Sequence, residues 1–249
     1  MAKYSFTIPS FHITKIRSAH TDTLFASTSL RVLNANGSLH HDFGAQGAPL
    51  GDRKAGGGVD LTLDFPLVDV PDPTPENPDG GAVYWTFLLV NAGHVDATYV
   101  PVLNKAADAF AGALAGKVLD PGDGGVSSLE FLVGLGVVLA AQEALNLLTA
   151  DCDGQVASGA FALTATELAA KTPGPDLRFS QTQDNPGSRS PQGCGENSFY
   201  EVNYQIDRRT NSLKEFLVRN GIDLSQQVRV KDALHLTGSS SLREVMGLS

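Results

Sequence analysis

The chain has 249 residues, 42% of them hydrophobic and 18% charged, and this ordinary globular composition excludes a wholly disordered protein. Its 27 acidic and 18 basic residues give a net charge of −9, which argues against nucleic acid as a partner because an acidic surface repels phosphate groups. Two cysteines are too few for a disulfide-rich scaffold. The first residues lack the apolar core of a signal peptide, so we expect a cytoplasmic protein, unless it leaves by lysis or specialised secretion.

Four stretches in the first hundred residues alternate apolar and polar side chains. This two-residue period predicts strands that bury one face and expose the other. The stretches are residues 4–8, 24–32, 59–67 and 83–89. Between them, Asn34–Gly37 predicts a tight turn, and the Gly-, Asp- and His-rich residues 40–58 and the proline-rich residues 71–81 predict long loops.

The middle of the chain changes character. Residues 102–118 are rich in alanine and predict a helix. Ser127 and Glu130 form a capping-box pattern that opens an apolar helix over about 129–148. Together these predict an antiparallel helical hairpin at about 102–149. A helix that is apolar on all sides is usually core, so we expect the hairpin to pack against the sheets. The apolar run falls short of the ~20 residues that span a bilayer, which argues against a permanent transmembrane helix. The alternative is that the hairpin inserts into lipid after a conformational change.

The last hundred residues return to strands. Residues 156–163 predict a short strand, and Thr164 with Glu167 predicts a capped helical turn. Residues 173–198 predict a long loop, and residues 200–206 predict a central strand, since they alternate strongly and contain no proline. Capping patterns at 212–215 and 241–244 predict short C-terminal helices.

These elements predict a mainly β protein. The expected fold is an antiparallel β-sandwich with an inserted α-helical hairpin and short C-terminal helices. Dividing the chain near residue 100 would leave each part too little sheet to close, so we expect residues 1–249 to form a single domain.

Aspartates in glycine-rich turns are the candidate metal ligands. Asp151 and Asp153 precede Gly154, and Asp120 and Asp123 lie in another such turn. Carboxylate oxygens suit Ca²⁺, although the glutamate that completes an EF-hand loop is missing. A helix end followed by an ordinary turn explains the same residues.

Two further groups are candidate binding residues. His20 and Asp22 lie in a polar turn, and His40 and His41 lie in the segment 40–58, but the histidines have no metal-binding spacing. Cys194, Glu196 and Asn197 follow one another closely before the strand at 200–206. A glycine-flanked cysteine could act as a nucleophile beside a histidine. A solvated turn and a tight loop are the structural alternatives.

Three functions remain open at this point. The first is a non-catalytic binding or assembly protein, which presents its long loops on the sandwich to a protein or glycan partner or to further copies of itself. The second is a membrane-active or pore-forming protein whose hairpin, residues 102–148, inserts in lipid. The third is a hydrolase that depends on a metal or on Cys194.

Overall fold

The computed structural model describes residues 2–93, 99–116, 153–174, 177–186 and 198–209. In these ranges the chain is mainly β, with two antiparallel four-stranded sheets. The strands are β1 (Ala2–Lys15), β2 (Asp22–Leu33), β3 (Leu39–Arg53), β4 (Gly57–Val70), β5 (Ala82–Asn91), β6 (Gly154–Thr164), β7 (Arg178–Pro186) and β8 (Phe199–Arg209). The helices are α1 (Val100–Gly116) and α2 (Ala165–Lys171).

The strand order is β4-β1-β8-β7 in the first sheet, here called sheet I, and β3-β2-β5-β6 in sheet II. The strand predicted to be central, β8, lies between β1 and β7, which confirms that prediction. The chain divides into two compact units, Met1–Arg208 and Arg209–Ser249, and every element above belongs to the first, apart from the last residue of β8. The prediction of a single domain stays a prediction.

One hydrophobic cluster joins the inward faces of the two sheets. Phe6 and Tyr204 come from sheet I, and Trp85 and Phe161 come from sheet II. The Trp85 ring meets Phe6 edge-on at 5.4 Å between centroids and lies 5.3 Å from Phe161. Such aromatic pairs contribute ~0.5–1.5 kcal/mol each beyond the area that they bury. Strands β1, β2, β4 and β5 each turn one side to this cluster, as their alternation predicts, and β4 exposes most of its other side. The predicted exposure of the second side is wrong for β2 and β5, which are buried at nearly every position.

Helix α1 covers the outer face of sheet II. Leu103 and Ala106 pack there in a second apolar cluster with Phe25 and Leu88. Because both faces are covered, all residues of β5 except the first are buried. Helix α1 confirms the helix predicted over residues 102–118 as far as Gly116. The second predicted helix, residues 129–148, lies outside the described residues, so the hairpin stays a prediction.

A polar seam also ties α1 to β2. The Ser27 hydroxyl lies 2.7 Å from Asn104 Oδ1, and the Ser29 hydroxyl lies 3.1 Å from Asp108 Oδ1. Arg31 then donates to Asp108 Oδ2 at 2.9 Å. The distance from Ser27 to Ser29 along the strand matches the distance from Asn104 to Asp108 along the helix, since two strand residues and four helix residues both advance by roughly 6–7 Å.

The prediction of a loop over residues 40–58 is wrong, because these residues hold most of β3 and the start of β4. β3 pairs with β2 from Leu39 to Arg53. Gly44 and Gly51 have φ of +66° and +70° and lie at shifts in the pairing register, as glycines of β-bulges do. An edge strand needs ladder hydrogen bonds but little apolar burial, so the segment carries no apolar period.

The predicted loop over residues 173–198 is also partly wrong, because it contains the edge strand β7, which pairs with β8. Two amide side chains of β7 reach β6. Gln183 donates to the Ser158 carbonyl at 3.1 Å, and Asn185 Oδ1 accepts from the Ser158 amide at 3.2 Å. Polar side chains thus satisfy backbone groups of β6 across the gap between the sheets, which explains why β7 is strand-like without being apolar.

The predicted turns and caps are confirmed where they are described. Asn34–Gly37 closes a tight turn in which the Gly37 amide donates to the Asn34 carbonyl at 2.9 Å. Thr164 and Glu167 form the capping box of α2. Residues 71–81 form no strand or helix, as expected. The capping patterns at 127–130, 212–215 and 241–244 lie outside the described residues.

Candidate functional site

Asp22 is the described candidate residue with the most polar contacts. It begins β2 and its side chain is fully buried. Asp22 Oδ2 accepts from the Arg17 amide at 2.8 Å and from the Tyr200 hydroxyl at 2.6 Å, while Oδ1 accepts from the Ser18 amide at 2.8 Å. The carboxylate therefore closes the turn between β1 and β2. Through Tyr200 it also ties this turn to β8 of sheet I.

Asn91, the last residue of β5, extends this bonding to a second strand of sheet II. Its Oδ1 accepts from the Thr23 amide at 2.8 Å, and its Nδ2 donates to the Ser18 hydroxyl at 2.8 Å. Asn91 is 1% exposed. We call the set Arg17, Ser18, Asp22, Asn91, Asp153 and Tyr200 the Asp22 corner.

Arg17 and Asp153 complete the Asp22 corner, and both are buried. Burial lowers the pKa of the Arg17 guanidinium, and the carboxylates of Asp22 and Asp153 act in the opposite direction. Gly154 leaves space for this group, since a Cβ there would lie 3.0 Å from Arg17 Cζ. Asp153 Oδ1 accepts from the Gly93 amide at 2.7 Å.

Two tyrosines near these carboxylates hold their protons tightly. Burial raises the pKa of Tyr200, and the charge of Asp22 and the hydrogen bond to it act in the same direction. Burial, with a contribution from Asp153, raises the pKa of Tyr99 to about 12. Tyr200 is therefore a hydrogen-bond donor to Asp22 at neutral pH and is unsuited to act as a base.

The bonding of the Asp22 corner is directed inward. Both oxygens of Asp22 accept hydrogen bonds from donors that the fold supplies. A buried carboxylate bonded in this way holds elements together, and little of its bonding capacity is left for a ligand. We therefore interpret the corner as a structural element.

The other predicted site residues are dispersed. His20 is exposed beside the Asp22 corner, and His40 and His41 lie in β3, where the His41 ring is 4.3 Å from the Phe43 ring. Asp153 accepts a hydrogen bond from the Gly93 amide, and its predicted role as a calcium ligand stays a prediction. The remaining candidates lie outside the described residues: Asp120, Asp123, Asp151, Cys194, Glu196 and Asn197. Within the described residues, no group of three His, Cys, Asp or Glu side chains is arranged to hold a metal ion.

A groove on the outer face of sheet I differs from the Asp22 corner, because its polar side chains lie at the surface. Its volume is about 330 Å³, and its walls come from Pro9 and Ser10 of β1, Ser180–Thr182 of β7, and Asn203 and Tyr204 of β8. We call it the polar groove. None of these residues is charged at neutral pH.

Three side chains form a hydrogen-bonded row across the groove. The Thr182 hydroxyl donates to Asn203 Oδ1 at 2.6 Å, and Asn203 Nδ2 donates to the Ser10 hydroxyl at 2.9 Å. All three alternate outward from their strands and are partly or fully exposed. The row spans two interstrand spacings, roughly 10 Å.

The hydrogen-bond donors and acceptors that the row does not use internally make it a candidate binding site. Ser10 accepts from Asn203, and no acceptor for its own O–H is seen among the described residues, so this O–H can donate to a ligand. Thr182 has given its proton to Asn203, so its oxygen can still accept. Asn203 keeps one N–H and one lone pair. The row thus presents a donor, an amide with both functions, and an acceptor.

The sequence interpretation missed this row. Ser10 and Asn203 are the polar partners of an ordinary alternation, and Thr182 lies in a segment predicted as loop. The row combines two consecutive strands, β7 and β8, with the distant strand β1, so no local motif marks it. The sequence does show the polar residues that alternate with apolar ones along each strand and point outward. It does not reveal which strands are neighbours.

Comparison with known proteins identifies no family. No protein-family model matches the chain, and no curated protein matches it. Among the described helices, neither is long and apolar enough to cross a membrane.

Proposed function

We propose that this chain is a non-catalytic binding protein, which holds its ligand in the polar groove on the outer face of a β-sandwich. The observation that carries this proposal is the row of Ser10, Asn203 and Thr182, whose hydrogen-bonding capacity is directed to solvent. Exposed polar groups held in fixed positions on a sheet lose little conformational entropy when a ligand binds.

The scaffold supports this role. Asn203 lies on β8 between Val202 and Tyr204, which are both buried in the core. Thr182 lies opposite Asn203 in the β7–β8 ladder. Buried neighbours on β8 and ladder pairing on β7 therefore fix the spacing of the row, as a preorganised binding site requires.

The groove replaces the long loops as the expected binding surface. Residues 71–81 are tied to the rest of the fold, since Asn77 Nδ2 donates to the Ala35 carbonyl at 2.6 Å and the Thr166 hydroxyl donates to the Pro78 carbonyl at 2.9 Å. Much of 40–58 and part of 173–198 is strand. The membrane-active and hydrolase functions stay predictions, because residues 129–148 and Cys194 lie outside the described residues.

A ligand screen by saturation-transfer NMR tests the proposal. The full chain is mixed with a library of oligosaccharides and short peptides, and each hit is measured again with Asn203→Ala. We expect the hits to lose their transfer signal in the variant. Hits that bind the two proteins equally, or a library without hits, would contradict a binding function for the groove.

A further inference from the structure

We infer that the ligand of the polar groove is a neutral, hydroxyl-rich glycan. This inference rests on the proposed binding function and adds the chemical class of the ligand. It follows from three properties of the groove: the uncharged side chains of its described walls, the order of donors and acceptors along the row, and its position on a sheet face.

The charge of the walls disfavours ionic ligands. Among the described residues that line the groove, none carries a charge at neutral pH. A site for a sulfated, phosphorylated or carboxylated ligand ordinarily supplies Arg or Lys to pair with the anion. The protein's net charge of −9 further opposes an anionic ligand.

The order of donors and acceptors fits sugar hydroxyls. Each hydroxyl of a sugar both donates and accepts, so neighbouring hydroxyls can meet the Ser10 O–H, the Asn203 amide and the Thr182 oxygen in turn. Fixed side-chain amides and hydroxyls give such ligands their orientation. A length of roughly 10 Å allows contact with more than one sugar ring.

The position of the groove disfavours an extended peptide. A peptide that binds by strand addition pairs its backbone with a sheet edge, but the groove lies over β1, β8 and β7, and β8 is paired on both sides. Peptide side chains also need apolar or charged pockets as anchors, whereas the row itself is made of hydroxyls and an amide. The Tyr204 side chain packs into the core, with its ring 4.5 Å from Phe161.

A glycan array measures the ligand class directly. The labelled full chain is applied to neutral oligosaccharides of glucose, mannose, xylose and N-acetylglucosamine, to sulfated and sialylated glycans, and to basic and neutral peptides. We expect binding to one or more neutral glycans, and calorimetry with the best of them should give a weak affinity, because the described lining of the groove contains no exposed aromatic ring.

Two groove variants and one matched control locate the binding. Thr182→Val removes one hydroxyl while keeping the side-chain shape, and Asn203→Ala removes the middle of the row. We expect each to weaken neutral-glycan binding by roughly tenfold or more. Thr14→Val makes the same change at an exposed position of β1 outside the groove and should bind as the unmodified chain does.

The outcomes separate the ligand class from the binding function. Binding of peptides or charged glycans alone, lost in Asn203→Ala, would overturn the glycan inference and leave the groove as a binding site. Neutral-glycan binding that both groove variants retain would overturn the assignment to the groove. The absence of any binding would overturn both proposals.

Discussion

The Asp22 corner and the polar groove are both built from polar side chains, but their hydrogen bonds point in opposite directions. Asp22 is fully buried, and its oxygens accept from two backbone amides and from Tyr200. The row of Ser10, Asn203 and Thr182 is exposed and keeps donors and acceptors toward solvent. The comparison teaches that the residue type most often associated with a site, a buried aspartate, serves the fold here, whereas uncharged residues offer the bonding capacity.

Asp22→Ala should produce the largest effect on stability. It leaves the Arg17 and Ser18 amides and the Tyr200 hydroxyl without their acceptor in a buried place. Breaking a buried charged network costs about 3–5 kcal/mol. We expect the free energy of unfolding, measured with urea, to fall by this amount. Asp52→Ala at the exposed Thr23 contact is the control and should cost less than about 1 kcal/mol. Equal losses in the two variants would mean that the corner is not structural.

Tyr200→Phe should have the next largest effect. It deletes the hydroxyl that donates to Asp22 at 2.6 Å and leaves the ring in the core. A lost hydrogen bond to a buried charged group costs about 1.5–3 kcal/mol. Tyr204→Phe is the matched control, because no hydrogen bond of the Tyr204 hydroxyl is seen within the described residues. Urea unfolding should show a clear loss for Tyr200→Phe alone, and similar curves for both variants would count against the role of the Tyr200–Asp22 contact.

Alkaline pH should change the difference in stability between the unmodified chain and Tyr200→Phe. The pKa of Tyr200 is raised in the fold, so the unfolded chain releases this proton first, near pH ~10. The stability from Tyr200 is therefore fully present below that pH and is lost as the pH rises above it. Over this range we expect the unfolding free energy of the unmodified chain to fall more steeply than that of Tyr200→Phe, by up to about 1.4 kcal/mol per pH unit. Parallel profiles would contradict the raised pKa.

Asn203→Ala should have the smallest effect on stability. Its two hydrogen bonds lie on a solvated face, so their loss should change the unfolding free energy by about 0.5 kcal/mol. The same substitution should remove ligand binding. A loss comparable to that of Asp22→Ala would make the row a structural element and end the contrast between the two regions.

The sequence interpretation succeeded where one local pattern determines structure. Two-residue alternation predicted most of β2, β4, β5 and β8 and the first part of β1, because each of these strands has a face in the shared core. Thr164 and Glu167 predicted the cap of α2, since both partners of a capping box lie within four residues. The first helix, α1, followed from alanine propensity alone.

It failed where pairing with a distant strand decides the outcome. β3 and β7 lie at sheet edges, and Gly, Gln, Asn and Asp interrupt any apolar alternation along them. Their strand conformation depends on ladder hydrogen bonds to β2 and β8, and on the contacts of Gln183 and Asn185 with β6. Local composition does not contain that information.

The candidate residues show the same division. Asp22 and Asp153 were identified from their turns, but the sequence could not distinguish a ligand from a support. The distinction depends on Tyr200, Arg17 and Gly93, which the fold brings from other elements.

The sequence by itself determined the mainly β class, the position of α1 and the caps and turns, because each of these depends on neighbours within a few residues. Tertiary structure alone decided the strand order, the edge strands, the hydrogen-bond partners of Asp22 and the row that crosses the groove. Those features arise from residues far apart in the chain, such as Ser10 and Asn203 at a separation of 193 positions, that come into contact only when separate strands pair.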